Sequence, residues 1–152
     1  LIEIYKTRGI DISYLYCSMT LEVDETHQGL AFYAQAFPLD QIRVKYLLQQ
    51  AQKEKWHVME IELNLSHVLE MLRRPNCIAI ALIDNAILMC KGYGTQFSGH
   101  YIVLSGIRES DGALQIHNPT SGNRFDYISL QLFEQAWMAK GTDRDVIFIS
   151  KR

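Results

Sequence analysis

A predicted β-hairpin in the second half of the chain constrains the fold more than any other feature. Residues 101–107 and 113–117 are rich in apolar and β-branched residues, as strands are. Between them, Glu109-Ser110-Asp111-Gly112 is a strong turn sequence. Strands joined by so short a turn run antiparallel, so the hairpin predicts an antiparallel sheet built mainly from the second half of the chain.

The register of this hairpin decides whether two polar side chains meet. Pairing Gly106 with Leu114 places His100 opposite Thr120 and makes Asn118 its diagonal neighbour. The two Cβ atoms would then lie roughly 7–8 Å apart on one face of the sheet. A slip of one residue would put them on opposite faces. The chosen register therefore predicts an imidazole held by an amide, an arrangement found in cysteine hydrolases.

The same residues also have a purely structural interpretation. His100 would then be a histidine at a strand start, with its ring bonded to a backbone carbonyl. Asn118-Pro119 would be an ordinary turn after the second strand. The position of the His100 ring relative to the Asn118 amide separates the two interpretations.

Other segments predict an α+β domain. The continuous apolar run at 77–83 is typical of a strand buried on both faces. Asp40 and Ser129 are candidate N-caps, and Asn64 or Ser66 is a third. Residues 84–97 are expected to be irregular. The remaining expected elements are strands at 10–21, 56–63 and 146–150 and helices at 30–37, 41–55, 64–74 and 129–140. We expect a central antiparallel sheet with helices packed to one side.

The composition limits the classes of function. The 152 residues are 48% hydrophobic and 21% charged, which suits one soluble globular domain spanning 1–152. A net charge of −2 provides no basic surface for nucleic acid or an anionic membrane. No apolar run approaches the roughly 20 residues of a membrane span. We therefore expect neither a nucleic-acid partner nor a membrane location.

None of the three cysteines has the sequence setting of a reactive thiolate. Cys17 and Cys77 lie in apolar strand patterns and are expected in the core, whereas Cys90 lies in a loop. An odd number of cysteines without regular spacing argues against a disulfide scaffold and favours a cytoplasmic location. No cluster of ligands suggests a metal site, and no cofactor is expected. His117 is expected to point away from the face that carries Asn118.

Several segments together resemble one protein family over nearly the whole chain. They are Phe32-Tyr33, Phe37, the helix carrying Arg43-Val44, Cys77–Asp84, Gly99–Leu104, Asn118-Pro119, Phe133–Ala136 and Gly141–Ile149. These segments resemble the guanylyl cyclase domain-containing protein family. The most specific part is the Gly-Thr-Asp-x-Asp sequence that starts at Gly141.

That family is similar in fold to the C39-like, papain-type cysteine peptidases. The resemblance implies a papain-like α+β domain in which His100 is the general base and Asn118 is the residue that orients it. The family's Asp-Cys-Gly-like nucleophile motif and the glutamine of its oxyanion hole have no counterpart in this sequence. Both are expected N-terminal to Leu1, so residues 1–152 alone are expected to be inactive.

Three classes of function remain open from the sequence. The first is a cysteine hydrolase acting on peptide or isopeptide bonds, with a peptide or protein as substrate. The second is a non-catalytic binding module or assembly subunit that engages a protein partner. The third is guanylyl cyclase activity, as the family name implies. Neither a convincing carboxylate pair nor a glycine-rich phosphate loop supports the third class.

Overall fold

A seven-stranded sheet runs through the part of the chain that the computed structural model describes, namely residues 12–22, 37–89, 96–120, 122 and 125–151. The strands are β1 (Ile12–Ser18), β2 (Val58–Glu60), β3 (Cys77–Asp84), β4 (Gly99–Ile107), β5 (Leu114–His117), β6 (Asp126–Ile128) and β7 (Val146–Lys151). The helices are α1 (Phe37–Lys53), α2 (Leu65–Leu72), α3 (Asn85–Leu88) and α4 (Leu130–Trp137). The predicted α+β class is confirmed.

The strands lie in the order β2-β1-β7-β3-β4-β5-β6. β1 and β2 pair in parallel, whereas every other pair is antiparallel. The sheet is therefore mixed, and the expectation of a fully antiparallel sheet is wrong at this edge. The physical reason is the connection: α1 lies between β1 and β2 in the chain, and parallel neighbours require a long crossover of this kind.

β3 is the central strand, as its apolar sequence predicts. It pairs with β4 on one side and with β7 on the other, and most of its residues are buried. Helices α2, α3 and α4 contribute to the hydrophobic core that covers one face of the sheet. The buried residues of this core include Val68, Leu72, Ala79, Ala81, Ile83, Leu88, Ile102, Leu104, Leu114, Ile116, Phe133, Trp137, Val146 and Phe148.

Contrary to expectation, helix α1 does not lie with the other helices on one side of the sheet, and it begins before the expected residue, Gln41. It borders a cavity of about 240 Å³ together with Tyr16, whose side chain lies on the sheet face opposite to that of its buried neighbour Cys17. The helix begins at Phe37, so Asp40 lies in its first turn and is not its N-cap. Pro38 tolerates this placement because the first helical N–H groups have no intrahelical partner. The helix expected at 30–37 lies almost entirely outside the described residues.

Two elements were missed in the expected layout. Residues 85–88 form α3 within the segment expected to be irregular, because the Asp84 side chain caps the Ala86 N–H. Residues 126–128 form the edge strand β6, which is too short to show an alternating pattern. The cap Ser129 is confirmed, and α4 ends at Trp137, before the expected boundary at Lys140.

A β-bulge at Ser105 corrects the predicted hairpin register. Next to the turn, Gly106 pairs with Gln115, so the expected pairing of Gly106 with Leu114 is wrong by one residue. Beyond the bulge, Leu104 pairs with Ile116, which is the predicted register. The extra residue on β4 thus restores, towards His100, the alignment on which the site prediction depends.

A matched pair of leucine substitutions tests the position of the core. Leu104 is 0% exposed, whereas Leu39 in the first turn of α1 is 75% exposed. Leu104→Ala should lower the free energy of unfolding by about 2–5 kcal/mol, because it leaves a cavity against β3 and β5. Leu39→Ala should change it by less than about 0.5 kcal/mol. Urea denaturation measures both, and equal losses would contradict the assigned core.

Candidate functional site

The His100 ring and the Asn118 amide meet at one end of the sheet. His100 is the second residue of β4 and pairs with the buried Ile83 of β3. Asn118 directly follows β5, and only 6% of it is exposed. The distance from His100 Nε2 to Asn118 Oδ1 is 2.9 Å, which is a hydrogen bond. The contact that the hairpin predicts is therefore present, despite the bulge that the sequence did not reveal.

The neighbours of Asn118 establish which ring nitrogen carries a proton. Asn118 Oδ1 also accepts hydrogen bonds from the Thr120 backbone N–H at 3.0 Å and from the Thr120 hydroxyl at 2.8 Å. Because a backbone N–H only donates, the amide oxygen, and not its nitrogen, faces Thr120 and the ring. His100 Nε2 must then donate, and in the neutral ring Nδ1 keeps its lone pair. No described residue bonds to Nδ1.

The entry of the chain into β4 is held by a buried carboxylate. Asp84 is 7% exposed, and its Oδ1 accepts from the Ala86 N–H at 2.9 Å and from the Ser98 N–H at 3.2 Å. The Asn85 N–H donates in turn to the Ser98 carbonyl at 2.9 Å. These bonds tie the end of β3 to the residue two positions before His100. An aspartate at the end of an apolar strand was a cap signal that the sequence interpretation missed.

One buried polar atom near this end of the sheet has no hydrogen-bond partner among the residues that the structure describes. The Oδ1 atom of Asn85 is buried and accepts no hydrogen bond from any described residue. Asn85 immediately follows the end of β3, the end at which Ile83 pairs with His100. A buried amide oxygen without a donor is costly, by about 1–3 kcal/mol.

The described cysteines lie far from His100. Cys77 begins β3, six residues before the Ile83 that pairs with His100, which is about 20 Å along a strand. Cys17 lies on β1, and β7 and β3 separate that strand from β4, a lateral distance of about 14 Å. Both thiols are buried, as predicted, and burial raises the pKa of Cys17. Cys90 lies outside the described residues.

The opposite face of the hairpin carries aromatic side chains. His117 packs edge-on against Phe125 with ring centroids 6.1 Å apart, so it points away from the Asn118 face, as predicted. Phe125 in turn contacts Tyr127, and the Arg108 guanidinium lies 4.2 Å from the centre of the Tyr127 ring. The ion pair with Arg108 lowers the pKa of the exposed Asp111 carboxyl to about 2.

The Gly-Thr-Asp-x-Asp sequence folds as a turn between α4 and β7. Thr142 is buried, and its hydroxyl donates to the Trp137 and Ala139 carbonyls at the end of α4. Asp145 accepts a 2.9 Å hydrogen bond from the Tyr16 hydroxyl of β1. Burial, and then the negative charge of Asp145, raise the pKa of Tyr16 above its ordinary value. This element therefore joins a helix end to two strands and does not contact the His100 ring through any hydrogen bond described.

Comparison with known proteins assigns the chain to a family. A family model described as guanylylate cyclase matches residues 4–149. The chain belongs to the guanylylate cyclase family. Its similarity to a curated relative agrees with this: guanylyl cyclase 1 of Arabidopsis thaliana is 26% identical over 157 residues. That alignment covers 96% of this chain and 57% of the relative, so the chain spans little more than half of the relative's length.

The described part of this family member shows two further properties. None of its described helices is both long and apolar enough to cross a membrane. In the same residues, histidine, cysteine and carboxylate side chains do not gather in groups of three or more that could hold a metal ion. The family predicted from the sequence resemblance is confirmed by the family model that matches residues 4–149.

Removing the Asp84 carboxylate should loosen the approach to His100. Asp84→Ala should lower the free energy of unfolding by about 1–3 kcal/mol, because the buried Ala86 N–H and the partly buried Ser98 N–H lose their acceptor. It should also speed hydrogen exchange at the Ser98 amide. The matched control is Ser129→Ala, which removes the N-cap of α4 and should cost about 1 kcal/mol without changing exchange at Ser98. Unchanged Ser98 exchange in Asp84→Ala would contradict the assigned role.

Proposed function

We propose that this domain supplies the general base and its orienting residue to the active site of a papain-like cysteine hydrolase. The observation that carries the proposal is the 2.9 Å contact between His100 Nε2 and Asn118 Oδ1. It leaves the Nδ1 lone pair available to accept a thiol proton while the amide holds the ring in place. The geometry supports this role for His100 and Asn118 better than a histidine bonded to a backbone carbonyl.

The proposed reaction follows from that arrangement. His100 Nδ1 accepts the proton of a cysteine thiol, and the resulting thiolate attacks the carbonyl carbon of a peptide or isopeptide bond. The tetrahedral intermediate collapses, and the leaving amine takes the proton from Nδ1. His100 then deprotonates a water molecule, which hydrolyses the thioester and restores the thiol. Throughout these steps the Nε2–H stays bonded to Asn118.

In this proposal the nucleophile comes from outside the described residues. By strand geometry, Cys17 lies about 14 Å from β4 across the sheet, and Cys77 lies about 20 Å from the level of His100 along the strand direction. Both distances are too long for proton transfer. The resemblance to papain-type peptidases implies a cysteine at the start of a helix, in a segment N-terminal to Leu1. The proposed substrate is a peptide or protein, and a cytoplasmic setting would keep the thiol reduced.

Thiol labelling of the full-length protein tests the proposal. With iodoacetamide and mass spectrometry, we expect one cysteine other than Cys17 and Cys77 to react fast near neutral pH. His100→Ala should slow this labelling by about 100-fold or more, because the base is lost. His117→Ala is the matched control and should not slow it, since His117 lies on the opposite face. The absence of a fast cysteine, or labelling independent of His100, would contradict the hydrolase assignment.

Guanylyl cyclase activity is the second candidate, favoured by the family description and by the name of the Arabidopsis relative. Purified full-length protein incubated with GTP and Mg²⁺ or Mn²⁺ provides the test, with cyclic GMP quantified by mass spectrometry. The hydrolase proposal predicts no cyclic GMP above a control without protein. Cyclic GMP that is formed by the protein and lost in a folded variant would favour the cyclase instead. The absence of both fast labelling and cyclic GMP would favour a binding module.

A further inference from the structure

We propose that Thr120 is a positioning residue that selects the reactive tautomer of His100; this role rests on the proposed function. No hydrogen bond joins Thr120 to the ring among the described residues. Thr120 acts through Asn118, whose Oδ1 accepts the Thr120 backbone N–H and hydroxyl as well as His100 Nε2. Three donors thus converge on one amide oxygen, and two of them belong to Thr120.

The Thr120 backbone N–H fixes the orientation of the amide, because an N–H can only donate, whereas the Thr120 hydroxyl can also accept. If the Asn118 amide were rotated by half a turn, its NH₂ group would face the Thr120 N–H, and both groups would be donors. The ring would then face an amide N–H, and Nε2 would have to accept. In that state the proton moves to Nδ1, the nitrogen that must take the thiol proton. The contacts of Thr120 therefore favour the tautomer that can act as a base.

The chain arrangement explains why the residue two positions after Asn118 has this role. Pro119 fixes its own φ near −65° and lacks an N–H, so Thr120 supplies the first backbone donor after Asn118. A bond from this N–H to an asparagine side chain two residues earlier is a common turn. The added feature is the hydroxyl bond at 2.8 Å, which a residue without a hydroxyl could not make.

Substitutions at Thr120 separate the hydroxyl from the backbone donor. Thr120→Pro removes the backbone N–H, while Thr120→Val keeps the N–H and the branched shape and removes only the hydroxyl. One neutral hydrogen bond corresponds to about a fivefold change in an equilibrium. Thr120→Pro should therefore raise the ratio of the Nδ1–H to the Nε2–H tautomer about fivefold. Thr120→Val should leave the ratio unchanged, because a hydroxyl can accept from a rotated amide as well as donate to the present one.

The readout is ¹⁵N NMR of the His100 ring in full-length protein labelled at histidine, recorded at a pH where the ring is neutral. Thermal unfolding verifies that each variant is folded. Iodoacetamide labelling of the fast cysteine is measured in parallel and should fall in proportion to the Nε2–H fraction of the ring. A wild-type ring protonated at Nδ1, or an unchanged tautomer ratio in folded Thr120→Pro, would overturn the positioning role. A changed ratio with labelling that does not follow the Nε2–H fraction would support the positioning role while contradicting the hydrolase.

Discussion

The site depends on the strand register of the β4–β5 hairpin. His100 lies on β4 and Asn118 follows β5. A shift of the register between these strands by one residue would put the two side chains on opposite faces of the sheet. The pairing next to the turn, Gly106 with Gln115, would by itself put Asn118 on the face opposite to His100. The extra residue Ser105 shifts the alignment by one position and brings both side chains to the same face. A local irregularity in one strand is therefore what makes the His–Asn contact possible.

The family motif and the candidate site report different properties of the chain. The Gly-Thr-Asp-x-Asp sequence is the most specific resemblance, yet its threonine is buried against the end of α4 and its second aspartate bonds to Tyr16. Through these contacts the motif connects the end of α4 to β7 and β1. A match at this element thus indicates a shared fold. Evidence about chemistry has to come from His100, Asn118 and their neighbours.

The sequence allowed much of the sheet to be predicted because its signals are local. The apolar run of β3, the turn at 109–112 and the cap at Ser129 each depend on a few adjacent residues. The bulge at Ser105 was not predictable in this way. Leu104 and Ile107 are three positions apart and would lie on opposite faces of a regular strand, yet both pack in the core, and the extra residue allows this. The parallel pairing of β2 and the short strand β6 depend on partners distant in sequence. The His–Asn contact was predicted from a register that is correct only beyond the bulge.

In the proposed active site, the chemical nature of Asn118 also bears on the kind of nucleophile. Asn118 is neutral, so it fixes the ring without adding a negative charge to stabilise an imidazolium. A serine hydroxyl is a very weak acid, and hydrolases that use serine pair the histidine with a carboxylate. A thiol with an ordinary pKa of about 8.5 lies only about 2 units above an ordinary imidazole. Proton transfer from it costs about 3 kcal/mol before any attraction between the ions formed. An amide is therefore sufficient where the nucleophile is cysteine, and the pair seen here suits a thiol better than a hydroxyl.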